Sequence, residues 1–176
     1  MTIPTFDKLM KPTLELLSDD KPRTVSEINQ HLIHYLSISE DDLKIMLPSS
    51  SQTMFRNRAS WARTYLSKAN LIYSPQRSVF RITEEGMIWN REHLSDFTVQ
   101  DLKKIDEFLD FYYAKSSSSS NGNRKTKTDN SFSSPLNETP EELIDKSYNT
   151  INESLGRKLL EQIMLQPPEF FEQLVV

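Results

Sequence analysis

The hydrophobic period of this chain changes once in its first ninety residues, and that change limits what it can fold into. From Phe6 to Ala69, apolar residues recur three and four apart, as on one side of a helix. At 71–73 and 79–82, β-branched and aromatic residues crowd together, with Ser74-Pro75-Gln76-Arg77-Ser78 between them. That is the mark of a short β-hairpin. Helical spacing returns after Thr83. The expected class is therefore mainly α with a small β-hairpin.

The helices can be placed one by one. Phe6, Leu9, Met10, Leu14 and Leu17 line the first, and Pro12 inside it predicts a kink or a late start. Thr24 with Glu27 makes a capping box for the second, whose buried side is Val25, Ile28, Leu32 and Leu36. Ser39 and Asp42 open a short third helix, and Pro48 closes it. After a polar turn at 49–52, a longer helix spans 53–69, and Asn70 leaves it in the left-handed conformation. Three helices, a longer helix and then a hairpin form the winged helix-turn-helix arrangement. Thr83, followed by Glu84 and Glu85, caps a brief helix near 87–89. Thr98 and Asp101 form a second capping box for a helix over 98–114, with Val99, Leu102, Ile105, Leu109 and Tyr112 on its apolar side.

The organisation expected is a winged-helix domain over 1–97 and a helix at 98–114 that packs on or extends it. A Ser-rich linker at 115–138 is too polar to order itself. A long helix at 139–166 starts on Thr139-Pro140-Glu141-Glu142 and carries Leu143, Ile144, Tyr148, Ile151, Leu155, Leu159 and Ile163. Pro167-Pro168 breaks it, and 169–176 begins another apolar helix.

Charge is distributed unevenly. Between Leu43 and Thr83 stand seven bases (Lys44, Arg56, Arg58, Arg63, Lys68, Arg77 and Arg81) and no acid, in a chain whose net charge is −4. The rest of the chain is then −11. A solvated face normally mixes signs, so a one-sign stretch points to a polyanion, most commonly nucleic acid. The bland alternative is a basic face docked on the chain's own acids.

On the 53–69 helix, Phe55, Ala59, Ala62, Leu66 and Ala69 share a core face, as do Trp61 and Tyr65 at its edge. Arg56, Ser60, Arg63 and Ser67 share another stripe, flanked by Asn57 and Thr64. About 25 Å of helix is enough to enter a major groove and still reach the core. Arg56, Asn57, Ser60 and Arg63 are expected at base edges. Lys68 on the helix and Gln76, Arg77 and Arg81 on the wing are expected at phosphates. Arg58, at the border of the apolar face, has an equal claim as a structural ion-pair partner.

Other chemistries find little support. There is no cysteine, and three glycines leave no phosphate loop. His31 and His34 have a spacing that two metal ligands can share, but no third ligand accompanies them. No metal or cofactor site is expected on the chain. No run is long enough to span a membrane, and no secretion signal opens the chain, so a cytoplasmic location is expected.

Ile3-Pro4-Thr5-Phe6-Asp7, Asn57-Arg58-Ala59-Ser60-Trp61-Ala62-Arg63 with Tyr65-Leu66, Ala69-Asn70-Leu71-Ile72, and Arg81-Ile82-Thr83-Glu84-Glu85-Gly86 are separated segments in one order. Together they resemble the amino-terminal domain of Mrr-type (type IV, modification-dependent) restriction endonucleases. Pro168-Glu169-Phe170-Phe171-Glu172-Gln173-Leu174-Val175 resembles the opening helix of the family's nuclease domain. Asn70 and Ser78 stand where relatives carry glycine. The resemblance implies a double-stranded-DNA reader that targets methylated foreign DNA, truncated before the nuclease residues. It carries DNA contact onto Asn57, Arg58, Ser60, Arg63 and the wing. Mg²⁺ and cleavage belong to the nuclease part, so no catalytic residue is assigned. The alternatives are a stand-alone winged-helix transcription regulator, an active nuclease, and an interaction module in which the 139–166 helix makes a homo-oligomer.

Overall fold

A computed structural model describes residues 3–49, 51–117 and 138–166. It divides into two units, 1–139 and 140–176. In the first unit the chain runs α1 (Phe6–Leu17), β1 (Arg23–Thr24), α2 (Val25–Tyr35), α3 (Glu40–Leu43), α4 (Met54–Lys68), β2 (Ile72–Gln76), β3 (Val79–Ile82), α5 (Glu84–Glu92), α6 (Val99–Leu102) and α7 (Asp106–Ser117). This is a mainly α fold with a small antiparallel sheet.

The helix starts follow local chemistry. Thr24 Oγ1 accepts from the Glu27 N–H, and Glu27 Oε2 accepts from the Thr24 N–H at 2.7 Å, which completes the capping box. Ser39 and Thr53 cap α3 and α4 through one bond each, their hydroxyls accepting from the Asp42 and Arg56 N–H. α1 begins at Phe6, so the late start expected from Pro12 does not occur. The ring is buried in the middle of the helix, and its missing N–H leaves the Lys8 carbonyl without a helical donor. α4 closes with Asn70 at φ 56°, and the Leu71 N–H turns back to the Leu66 carbonyl at 2.9 Å.

The sheet has three strands in the order β1-β3-β2, one more than the hairpin. Arg23 pairs with Phe80 and Thr24 with Val79, while Ile72 pairs with Ile82 and Tyr73 with Arg81. β1 has only two residues, the second of them the N-cap of α2, and so shows no alternation, which is why it is silent in sequence. The wing is also tighter than expected. β2 continues through a register shift between Tyr73 and Gln76, and Pro75, which lacks a donor, sits in that irregularity. Ser74 Oγ donates to the Gln76 and Val79 carbonyls at 2.7 and 2.8 Å. The turn shrinks to Arg77-Ser78, with Ser78 at φ 63°.

The core joins Phe6, Leu9, Met10, Leu14 and Leu17 of α1 to Ile28 and Leu32 of α2, with Phe55, Ala59, Ala62 and Leu66 of α4. Each fully buried leucine contributes on the order of 2 kcal/mol relative to exposure. Ile72 and Ile82 tie the wing to that core, and Phe97, Val99, Leu102 and Phe108 close its far side. Tyr65 lies edge-on to Phe6, Trp61 and Phe108 at 5.1, 5.6 and 5.4 Å, so it belongs to the packing, as expected.

The single helix expected over 98–114 is two helices, α6 and α7. The break at 103–105 resets the helical phase, so Phe108 is buried rather than Leu109. α7 also continues to Ser117, past the expected linker boundary at 115. Most of that linker and the helix expected from 169 lie outside the described residues. The second unit is described by itself: α8 (Pro140–Met164), with none of its residues buried. Among the described residues, no helix is long and apolar enough to cross a membrane.

Candidate nucleic-acid interface

α4 owes its exposed polar side to the same 3.6-residue period that buries Phe55, Ala59, Ala62 and Leu66. Opposite that core face, Arg56, Ser60, Ser67 and Lys68 are exposed and Thr64 is half-buried. Gln76 and Arg77 are exposed on the wing. Among the described residues, no acid pairs with Arg56, Lys68 or Arg77. Lys68 Nζ stands 5.2 Å from the centre of the Phe111 ring, a contact that leaves its ammonium exposed.

Of the other cations of the acid-free stretch, Arg58, Arg63 and Arg81 are held by protein groups, while Lys44 stays exposed beside Asp41. Arg63, expected beside Arg56 at base edges, is 6% exposed. Its Nη1 donates to Asn29 Oδ1 at 2.9 Å, and its guanidinium lies 5.9 Å from the Phe80 ring centre. Burial without an acid partner brings it down to about 10, well below an arginine's ordinary value. The outer stripe therefore runs through Thr64 instead. Asn57, also expected outward, is 1% exposed, and Thr139 Oγ1 donates to its Oδ1 at 2.5 Å. Arg58 donates to the Ile3 and Pro4 carbonyls, which fastens α4 to the chain leading into α1.

Arg81, expected at phosphate, forms a two-pronged pair with Asp20. Its Nε reaches Oδ1 at 2.8 Å and its Nη2 reaches Oδ2 at 2.6 Å. The pair raises Arg81, and the hydrogen bond from Arg81 holds the Asp20 carboxyl below its ordinary range. Asp20 itself adopts φ 60°, which turns its side chain toward β3. Lys44 meets Asp41 at 3.2 Å. Three residues that the sequence did not assign to the interface thus shape it: Asp20, Asn29 and Thr139. The Asp19-Asp20 pair was a visible signal. Asn29 and Thr139 gave none, because tertiary folding alone brings them to α4.

What remains outward on α4 is a ridge headed by Arg56 and continued by Ser60, Thr64, Ser67 and Lys68, with Arg77 exposed on the wing. The Ser60 and Ser67 hydroxyls can donate and accept, Thr64 Oγ1 donates to the Ser60 carbonyl at 3.0 Å and can accept, and Arg56 and Lys68 stand at the two ends of that hydroxyl row.

The family model described as the Mrr N-terminal domain matches residues 6–92. The chain is 26% identical over 182 aligned residues to the type IV methyl-directed restriction enzyme EcoKMrr of Escherichia coli (strain K12). The alignment covers all of this chain and 58% of that relative. No solved structure matches. Residues 6–92 are therefore an Mrr N-terminal domain.

Proposed function

We propose that the first unit is the targeting module of a restriction system, binding double-stranded DNA and preferring methylated duplexes. α4 enters the major groove with Arg56, Ser60, Thr64 and Ser67 facing the bases. Lys68, Gln76 and Arg77 meet the backbone. One observation carries this reading: α4 keeps an open polar stripe beside two arginines that have no acid partner among the described residues. The methyl preference rests on the relative's name alone.

Fluorescence anisotropy with methylated and unmethylated duplexes tests both parts. Replacing Arg56 and Arg77 together with alanine should weaken binding at least tenfold, because each phosphate or base contact is worth on the order of 1 kcal/mol or more. Unchanged affinity would defeat the assignment, and equal affinity for both duplexes would remove the methyl preference. Cleavage is not part of the proposal. Mg²⁺-dependent nicking of methylated plasmid that survives repurification would overturn the reading of this chain as a targeting module without catalysis.

A second role has its own observation. On α8, Ile144, Tyr148, Ile151, Leu155, Leu159 and Ile163 are all exposed and follow one another at three- and four-residue steps. We propose that this apolar line pairs two copies of the chain. A mass by light scattering that stays monomeric at high micromolar concentration would remove it.

A further inference from the structure

Asn57, Ser60, Thr64 and Lys68 stand at i, i+3, i+7 and i+11 and therefore share one stripe of α4. Ser60 and Lys68 are open to solvent, and Thr64 is half open. Asn57 is closed at 1% exposure. Thr139, 82 residues further along, is 0% exposed and donates its hydroxyl to Asn57 Oδ1. A buried side-chain pair on the outer arc of a surface helix indicates a segment lying across that arc.

The chemistry of this segment opposes that of a duplex. An asparagine amide reads adenine by using Oδ1 and Nδ2 together, and here Oδ1 is already taken. Thr139 also brings Glu138, half-buried, to a helix that contains no acid of its own. A carboxylate there suits Arg56 and its neighbours, but it repels an incoming phosphate.

We infer that Glu138–Thr139 is an intramolecular strap that docks on the Asn57 flank of α4 and competes with duplex DNA for it. The inference rests on the DNA-binding reading above. Docking and DNA binding are mutually exclusive on this flank, so the apparent affinity for DNA is reduced by the fraction of molecules in which the strap is docked. Release of the strap returns the Asn57 amide to the groove-facing stripe.

The test uses the full chain and a labelled duplex. Thr139→Val keeps the side chain's shape and deletes the donor, so the strap loses one buried hydrogen bond. DNA affinity should tighten about fivefold. Thr139→Ser keeps the donor and should bind as the wild type does. Glu138→Gln, which leaves the hydroxyl in place, should tighten binding about twofold. Saturating duplex should also speed cutting by a Glu-specific protease between Glu138 and Thr139. Equal or weaker binding by Thr139→Val in a protein of unchanged circular dichroism, or slower cutting with DNA present, overturns the strap and leaves the DNA reading intact. Failure of every form to bind duplex at low salt defeats the DNA reading and the strap with it.

Discussion

Replacing Arg63 with methionine separates two roles that the sequence alone merges. In the fold the guanidinium is brought down to about 10 by burial, a desolvation cost on the order of 3 kcal/mol. Against that stand one hydrogen bond to Asn29, worth about 1–2 kcal/mol, and the contact with Phe80, worth about 0.5–1 kcal/mol. The two sides nearly cancel, so Arg63→Met, which keeps the length of the stem, should leave stability within about 1 kcal/mol of wild type. Arg63→Ala removes the stem as well and opens a cavity, at about 2–4 kcal/mol. At roughly 4 °C per kcal/mol for a domain of this size, thermal melts should show methionine near wild type and alanine about 10 °C lower. DNA affinity of the methionine variant should change less than twofold, because Arg56, Ser60, Thr64 and Ser67 are untouched. Methionine melting as low as alanine would show that the charge, not the volume, holds α4 against α2 and the wing. A loss of DNA binding as large as that of Arg56→Ala would return Arg63 to the bases.

Gly86→Ala should destabilise the first unit by about 3 kcal/mol or more in urea melts, because a Cβ there would lie 2.0 Å from the Leu71 carbonyl oxygen, a backbone atom with no room to move. Asp20→Ala should leave stability nearly unchanged, since both partners of its pair are about two-fifths exposed, and it should strengthen DNA binding by freeing Arg81. Weaker binding would show that the pair orders the wing. The Asp101 carboxyl is held at about 2, first by the Thr98 N–H and then by Lys104. A lowered carboxylate contributes fully above its ordinary value near 4 and loses that contribution as pH falls through about 2. Asp101→Asn should therefore flatten the fall in stability between pH 4 and pH 2 and leave its slope at neutral pH unchanged.

The backbone plan was largely legible because it rests on period and caps. The 3.6-residue repeat of α4, the Thr24–Glu27 box and the shift to β-branched residues at 71–82 are local features, and local chemistry produced them. The direction of individual cations was not legible. Arg63 lies at the edge between the buried and open sides of α4, where a few degrees of rotation and one amide from α2 decide whether its long stem folds inward. A count of seven bases without an acid is a statement about sequence distance. The Asp20–Arg81 pair spans 61 residues, which no window of charges can register. The phase of α7 escaped for a similar reason: a three-residue break between two short helices shifts the apolar face from Leu109 to Phe108, and its cause lies in core space rather than in the segment.

Inward-turned arginines also determine how this module should respond to salt. With Arg56, Lys68 and Arg77 as the exposed cations of α4 and the wing, one domain bound as proposed should displace about three counterions from duplex DNA. The logarithm of affinity should then fall with the logarithm of salt at a slope near −3, since each neutralised phosphate contributes about −0.9. Seven outward cations would give a slope near −6. Three contacts alone give only micromolar or weaker non-specific binding at physiological salt, so tight targeting by this chain needs a second domain on the same duplex. If α8 pairs two copies, the slope should double to about −5 or −6 at concentrations where the dimer forms and return to about −3 with Leu155→Lys, which breaks the apolar line. Asp20→Ala, by freeing Arg81, should steepen the single-domain slope by about one. A single-domain slope of −6 would mean that Arg63, Arg58 and Arg81 swing outward on DNA, and a slope near zero would mean that the exposed ridge on α4 never meets a phosphate.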